Sequence, residues 1–160
     1  MENLILVVSL IMGVILYGLI AKWYIIPALE KHPRDIALLP LILLHCFRYL
    51  GLSFLVPGVV AADISSSFAL PTAYGDFLTA LLGLITVVAL RNHWGSAIPF
   101  VWTVNLVGTL DLLNALPHGL LNIHAGQLGG AYFIPTFIVP ALLVSHFLIF
   151  RLLIKRKKAI

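Results

Sequence analysis

Charged residues are scarce in this sequence. Only 10% of its 160 residues are Asp, Glu, Lys or Arg, against roughly a quarter in an ordinary soluble domain. That scarcity excludes a surface that faces water on every side. A single cysteine, Cys46, excludes an internal disulfide and any cysteine-based zinc pattern. Its place inside an apolar run makes it a small packing residue. The opening stretch, residues 1–24, lacks the basic segment and the small-residue cleavage site of a secretory leader, and Glu2 stands where a positive charge would be expected. It reads as a retained first span. Basic residues interleaved with aromatics are also missing, so the net charge of +4 does not indicate nucleic acid. The basic residues sit instead at the ends of apolar runs, where their natural partners are anionic membrane lipids.

What fills the chain is hydrocarbon: 61% of the residues are hydrophobic and the mean hydropathy is +1.08. Five apolar runs are each close to the ~20 residues that cross ~30 Å of bilayer core. They cover residues 4–26, 36–56, 71–91, 98–116 and 131–154. Span 1 ends on Lys22, Trp23 and Tyr24, an interfacial anchor. Pro57-Gly58 terminates span 2, Pro71 suits the first turn of span 3, and span 4 meets Pro117. Pro135 and Pro140 are expected to kink span 5 and free a carbonyl near Thr136. The expected fold is therefore all-α, a single polytopic membrane helix bundle with about five transmembrane helices.

The basic residues give this bundle an orientation. Lys22, Lys31, Arg34, Arg91, Arg151, Lys155, Arg156, Lys157 and Lys158 all fall on the side reached after span 1. The opposite side carries no lysine or arginine. The positive-inside rule then places the N-terminus outside and the C-terminus inside, as expected for a bacterial inner (plasma) membrane.

Against this background the polar residues inside the spans stand out. A charge at mid-span costs about 2.5–3.5 kcal/mol on insertion scales, yet Arg48, Asp76 and Asp111 are all kept at depth. His45, His146, Asn105 and Asn114 join them. Counted from the cytoplasmic ends, His45, Asn105 and His146 share a level about 10–14 Å deep. Asp76 and Asp111 lie nearer the outer ends, and Arg48 falls between the two levels. His45, Arg48 and Tyr49 are spaced to share a helix face, and Asn105, Gly108, Asp111 and Asn114 recur at steps of three. Gly108 would allow a neighbouring helix to come close. These residues predict one polar column within the bundle. Span 1 has no comparable residue at depth, so it is expected to face lipid or another subunit.

Two aspartates against one arginine leave a surplus negative charge, which suits acid–base or proton-relay chemistry. The candidate acid–base residues are Asp111, Asp76 and His45. The candidate ligand-binding residues are Arg48, Tyr49, Asn105, Asn114 and His146, with Trp102 of span 4. The expected ligand is a small hydrophobic, lipid-like molecule reaching the pocket from the bilayer. Whether it is only bound or also transformed stays open at this point. Three other readings stand beside this one. The column could be a buried ion pair that fixes helix register in a structural subunit, with other membrane subunits or copies of the chain as partners. It could be a proton or small-solute conduit. His45 and His146, matched in depth on two helices, could also ligate haem b. His118 and His124 flank the outer loop, where a metal site is a further option.

Overall fold

The computed structural model describes residues 1–154; the basic tail Lys155–Lys158 lies outside them. Five long helices make up most of the chain: α1 (Glu2–Leu29), α2 (Arg34–Leu55), α3 (Ser66–Arg91), α4 (Ala97–Asn122) and α5 (Ile134–Ile154). A short 3₁₀ segment, Ala125–Tyr132, leads from α4 into α5. Among the described residues the fold is all-α, and each of the five helices is long and apolar enough to cross a membrane.

Three of these helices change their winding along their length, and proline accounts for two of the changes. In α1 the residues Ala21–Ile25 form a π turn, with the Ile26 N–H reaching back to the Ala21 carbonyl. In α5 the residues Ile134–Ile138 do the same, with the Val139 N–H reaching the Ile134 carbonyl. In both cases the next residue is a proline, Pro27 or Pro140. A proline ring collides with the carbonyl four residues before it, and the wider turn moves that carbonyl aside. For Pro140 it is the Thr136 carbonyl, which faces Gly13 of α1. A Cβ on Gly13 would stand 3.0 Å from that oxygen and 2.7 Å from the Pro140 ring. Glycine is thus what lets α1 lie against α5.

The third change lies in α2. Residues Arg34–Cys46 are α-helical, and Phe47–Leu55 continue as a 3₁₀ helix. A 3₁₀ helix has three residues per turn, so every third side chain returns to the same face. The buried residues of this stretch follow that period: Arg48, Gly51 and Phe54.

Two helices extend past the prolines that the sequence suggests as boundaries. Helix α3 begins at Ser66, not near Pro71, and α4 continues through Pro117 to Asn122. An internal proline removes one backbone donor, and one lost bond does not end a long helix. Near Pro117 the exposed side chains also serve the backbone: the His118 ring lies 3.0 Å from the Asn114 carbonyl, and Asn122 donates to the His118 carbonyl at 3.0 Å.

Small residues set the spacing of the bundle. The buried stripe of α3 includes Ala69, Thr72, Ala73, Asp76, Thr79, Ala80, Gly83 and Thr86, and such residues let helix backbones approach closely. Thr79 and Thr86 return their hydroxyls to the carbonyls of Gly75 and Leu82, so neither is left unpaired. An apolar layer that includes Leu38, Ile42, Val101 and Ile149 fills the half of the bundle nearer the α1–α2 and α3–α4 connections. A second layer, with Leu6, Phe54, Phe68, Ile123 and Leu128, fills the other half. Arg48, Asp76, Asn105 and His146 lie between the two. Helix α1 stands apart, with only Leu6, Ala21 and Leu29 buried.

Candidate functional site

Arg48 is the centre of the polar layer, and its side chain is fully buried. Its guanidinium is held on three sides. Nε donates to Asp76 Oδ1 at 2.7 Å, Nη2 donates to Asp111 Oδ2, and Nη1 donates to the Gly108 carbonyl at 2.9 Å. The group thus ties α2 to α3 and α4. The Nη1 atom also lies 3.5 Å from His146 Nε2 on α5. Beyond it, His146 Nδ1 is 2.7 Å from Asn105 Oδ1. The amide oxygen can only accept, so Nδ1 carries the hydrogen and Nε2 presents its lone pair to Arg48. Asn105 closes the loop by donating to the His146 carbonyl at 3.5 Å.

Three glycines make room for this arrangement, one on each of three helices. A Cβ on Gly51 of α2 would run into the Asp76 carboxylate, and one on Gly75 of α3 would run into the Asp111 carboxylate. A Cβ on Gly108 of α4 would stand 2.8 Å from His146 Cε1, 2.8 Å from Thr79 Cγ2 and 2.9 Å from Arg48 Nη1. Each charged side chain therefore rests against a backbone with no side chain in the way. Gly51 and Gly75 are positions in the polar layer that residue spacing did not reveal. Their one signal is proximity: Gly51 lies three residues after Arg48, and Gly75 directly precedes Asp76.

The structure brings together Arg48, Asp76, Asp111, Asn105 and His146, with His45 beside them. It leaves out three residues expected to join. Tyr49 is exposed, because in a 3₁₀ helix the residue after Arg48 points about 120° away from it. Asn114 is also exposed. Steps of three drift by about 60° each around an α-helix, so nine residues beyond Asn105 the chain faces the opposite way. Trp102 is half-buried against Phe150, with ring centroids 5.9 Å apart, and packs on the first apolar layer.

His45 and His146 stack with ring centroids 4.1 Å apart and planes tilted by 38°. This does not fit bis-histidine haem ligation, in which a porphyrin must stand between the two imidazoles. His146 also has both ring nitrogens engaged. His45 differs: it is 1% exposed, and among the described residues neither ring nitrogen has a hydrogen-bond partner. A buried polar atom left unpaired costs about 1–3 kcal/mol. His118 and His124 do not converge, since His118 turns to the Asn114 carbonyl and His124 starts the segment Ala125–Tyr132 in a capping box with Gln127. Among the described residues no group of three or more His, Cys, Asp or Glu side chains is placed to hold a metal ion.

On the far side of the two carboxylates lies a cavity of about 60 Å³. Its walls are hydrocarbon, including Leu6 and Leu10 of α1, Phe54 of α2, Phe68 of α3, and Leu112 and Leu116 of α4. Its polar lining residues are Thr72, Asp76 and Asp111. Ile123 and Leu128 roof it from the connection between α4 and α5. That roof is tied down from two directions. Asn3 donates to the Ile123 carbonyl at 3.2 Å and accepts from the Ala125 N–H at 2.9 Å. The Ala61 N–H donates to the Gln127 carbonyl at 2.9 Å, and the Gly130 N–H donates to the Val59 carbonyl at 2.7 Å. Gly129, at φ 49°, makes the turn that this second contact requires.

Residues 5–154 match a family described as "Domain of unknown function (DUF8737)". The chain belongs to that family. The match runs through all five helices and includes each residue of the polar layer. No curated protein and no solved structure matches the chain.

Proposed function

We propose that this protein is an integral membrane protein of a bacterial inner membrane, with the N-terminus outside, and that it binds a small, mostly apolar molecule in the cavity above Asp76 and Asp111. The observation that carries this reading is the form of that cavity: a hydrocarbon wall ending on two carboxylates held by one buried arginine. Few precisely placed polar groups at the end of an apolar pocket are what fixes the orientation of an amphiphilic ligand. A purely structural ion pair gains nothing from a cavity beside it.

The orientation rests on the distribution of lysine and arginine, which places the cavity in the outer half of the bundle. Access from the bilayer lies between α1 and α4. Helix α1 rests on α5 and scarcely touches α4, and both line the cavity. A long row of exposed side chains on α1, among them Val8, Ile11, Ile15 and Leu16, then faces lipid. The chemistry supported at the site is proton exchange, since each carboxylate keeps an oxygen that Arg48 does not bond. A through-going conduit is disfavoured by the apolar layer below His45, where Leu38, Ile42, Val101 and Ile149 have no exposed surface.

Native mass spectrometry of the protein released from lipid nanodiscs tests this directly. A saturable bound mass is expected, and it should vanish in Ala115→Phe, which fills the cavity from α4. A wild-type protein that flies without any bound mass, and that takes up none of an added series of alkyl compounds, overturns the proposal.

A further inference from the structure

The cavity's charge goes further than its shape and narrows the class of ligand; this inference rests on the ligand-binding reading above. Within the polar layer the fixed charges are Arg48, Asp76 and Asp111, one positive against two negative. His146 adds no positive charge, because its Nε2 lone pair faces the guanidinium. Arg48 spends one N–H on each carboxylate and a third on the Gly108 carbonyl, so it cannot fully neutralise both acids. Asp76 and Asp111 are 9% and 13% exposed as side chains, and both line the cavity. Their second oxygens, Asp76 Oδ2 and Asp111 Oδ1, make no hydrogen bond among the described residues. An uncompensated carboxylate in a water-poor site is costly, and an opposite charge brought to it is correspondingly favoured.

The roof of the cavity has the same sign. Glu2 lies at the α1 end of the roof, its carboxylate 3.2 Å from where a Cβ on Gly126 would stand. Asp63 is bonded to Gln127 on the other side of that roof. Among the described residues no lysine or arginine lies at this end of the bundle. A cation with an apolar body is therefore favoured at this end of the bundle, solvated by the walls and neutralised at the floor. An anion would meet two carboxylates in succession. A neutral acceptor such as a ketone finds a donor only in the Thr72 hydroxyl, since an ionised carboxylate only accepts.

We infer that the ligand is a cationic amphiphile, an alkyl or aryl amine whose protonated nitrogen sits at the Asp76–Asp111 floor of the cavity with its apolar body along the walls. Thr72, on the same face of α3 as Asp76 and one turn away, offers that nitrogen a third oxygen.

Three probes with one tail separate charge from hydrophobicity: octylamine, octanol and octanoate, titrated by calorimetry into the full-length protein in neutral-lipid nanodiscs. Empty nanodiscs supply the partition blank. Octylamine should bind about tenfold or more tighter than octanol, the ratio between a charge-assisted and a neutral hydrogen bond. Octanoate should show no saturable binding. Asp111→Asn should bring the amine down to the level of the alcohol, and Ala115→Phe should abolish both. Thermal unfolding of each variant, with Asp111→Glu as the charge-retaining control, shows whether the bundle is intact. Equal affinity of amine and alcohol in the wild type, with both lost in Ala115→Phe, overturns the cationic assignment and leaves the ligand site standing. Absence of saturable binding by all three probes overturns both.

Discussion

Adding a single methyl group at Gly108 tests how tightly the polar layer is built. In Gly108→Ala the new Cβ meets three atoms on three other helices: His146 Cε1 and Thr79 Cγ2 at 2.8 Å each, and Arg48 Nη1 at 2.9 Å. None can retreat cheaply. Thr79 is fully buried with its hydroxyl returned to Gly75, His146 is fixed by Asn105, and Arg48 is bonded to two carboxylates. Overpacking of this kind costs about 3 kcal/mol at the upper end of the usual range. Alanine's better helix propensity returns about 1 kcal/mol, leaving a net loss of about 2 kcal/mol. Gly18→Ala is the matched control. Gly18 lies in α1 with nothing within 4 Å of the added methyl, so that variant should gain up to about 1 kcal/mol. Unfolding by SDS in mixed micelles, followed by far-ultraviolet circular dichroism, measures both. If Gly108→Ala were as stable as Gly18→Ala, Arg48 and His146 would not be seated against α4 as described.

The ion pairs give a second prediction: Arg48→Leu leaves two carboxylates without their shared cation and should cost about 3–5 kcal/mol, while adding Asp76→Asn and Asp111→Asn to it should restore most of the loss in the same assay. Asn105→Ala removes the acceptor of the His146 Nδ1–H and should cost about 1–3 kcal/mol; no change in stability would mean that His146 has another partner. His45→Leu should be neutral to stabilising, by up to about 3 kcal/mol, because replacing an unpaired buried polar group by an apolar one of similar size loses no bond and removes its cost. A loss of stability would reveal a polar partner at the ring. In a Cys46→Ala background, a membrane-impermeant maleimide should label Ser66→Cys but not Asn92→Cys in intact cells, and the reverse pattern would invert the orientation.

The five helices were legible because hydropathy and length carry them with little help from tertiary structure. Their ends were less so. Pro71 and Pro117 read as boundaries, yet each removes only one backbone bond and lies inside a helix. Arg48, Asp76 and Asp111 could be picked out because a charge in an apolar run is expensive wherever it points. Which neighbours joined them depended on winding, which residue spacing does not report. Tyr49 fell away because α2 had tightened to three residues per turn, and Asn114 because α4 had not. The glycine seats and the roof of the cavity were the least visible. Gly51 and Gly75 matter through what approaches them from another helix, and Leu128 meets Leu6 only after the whole chain has folded.

The tightened half of α2 also settles a matter of length. A 3₁₀ helix rises about 2.0 Å per residue against about 1.5 Å for an α-helix. The 22 residues of α2 therefore reach about 38 Å, where uniform α winding would give about 33 Å. The 26-residue helices α3 and α4 beside it measure about 39 Å. Helix α2 thus matches the length of its longer neighbours with four fewer residues. Rewinding that stretch to α would shorten it by about 5 Å and turn Phe54 away from Arg48, so the floor and wall of the cavity are coupled through the pitch of one helix.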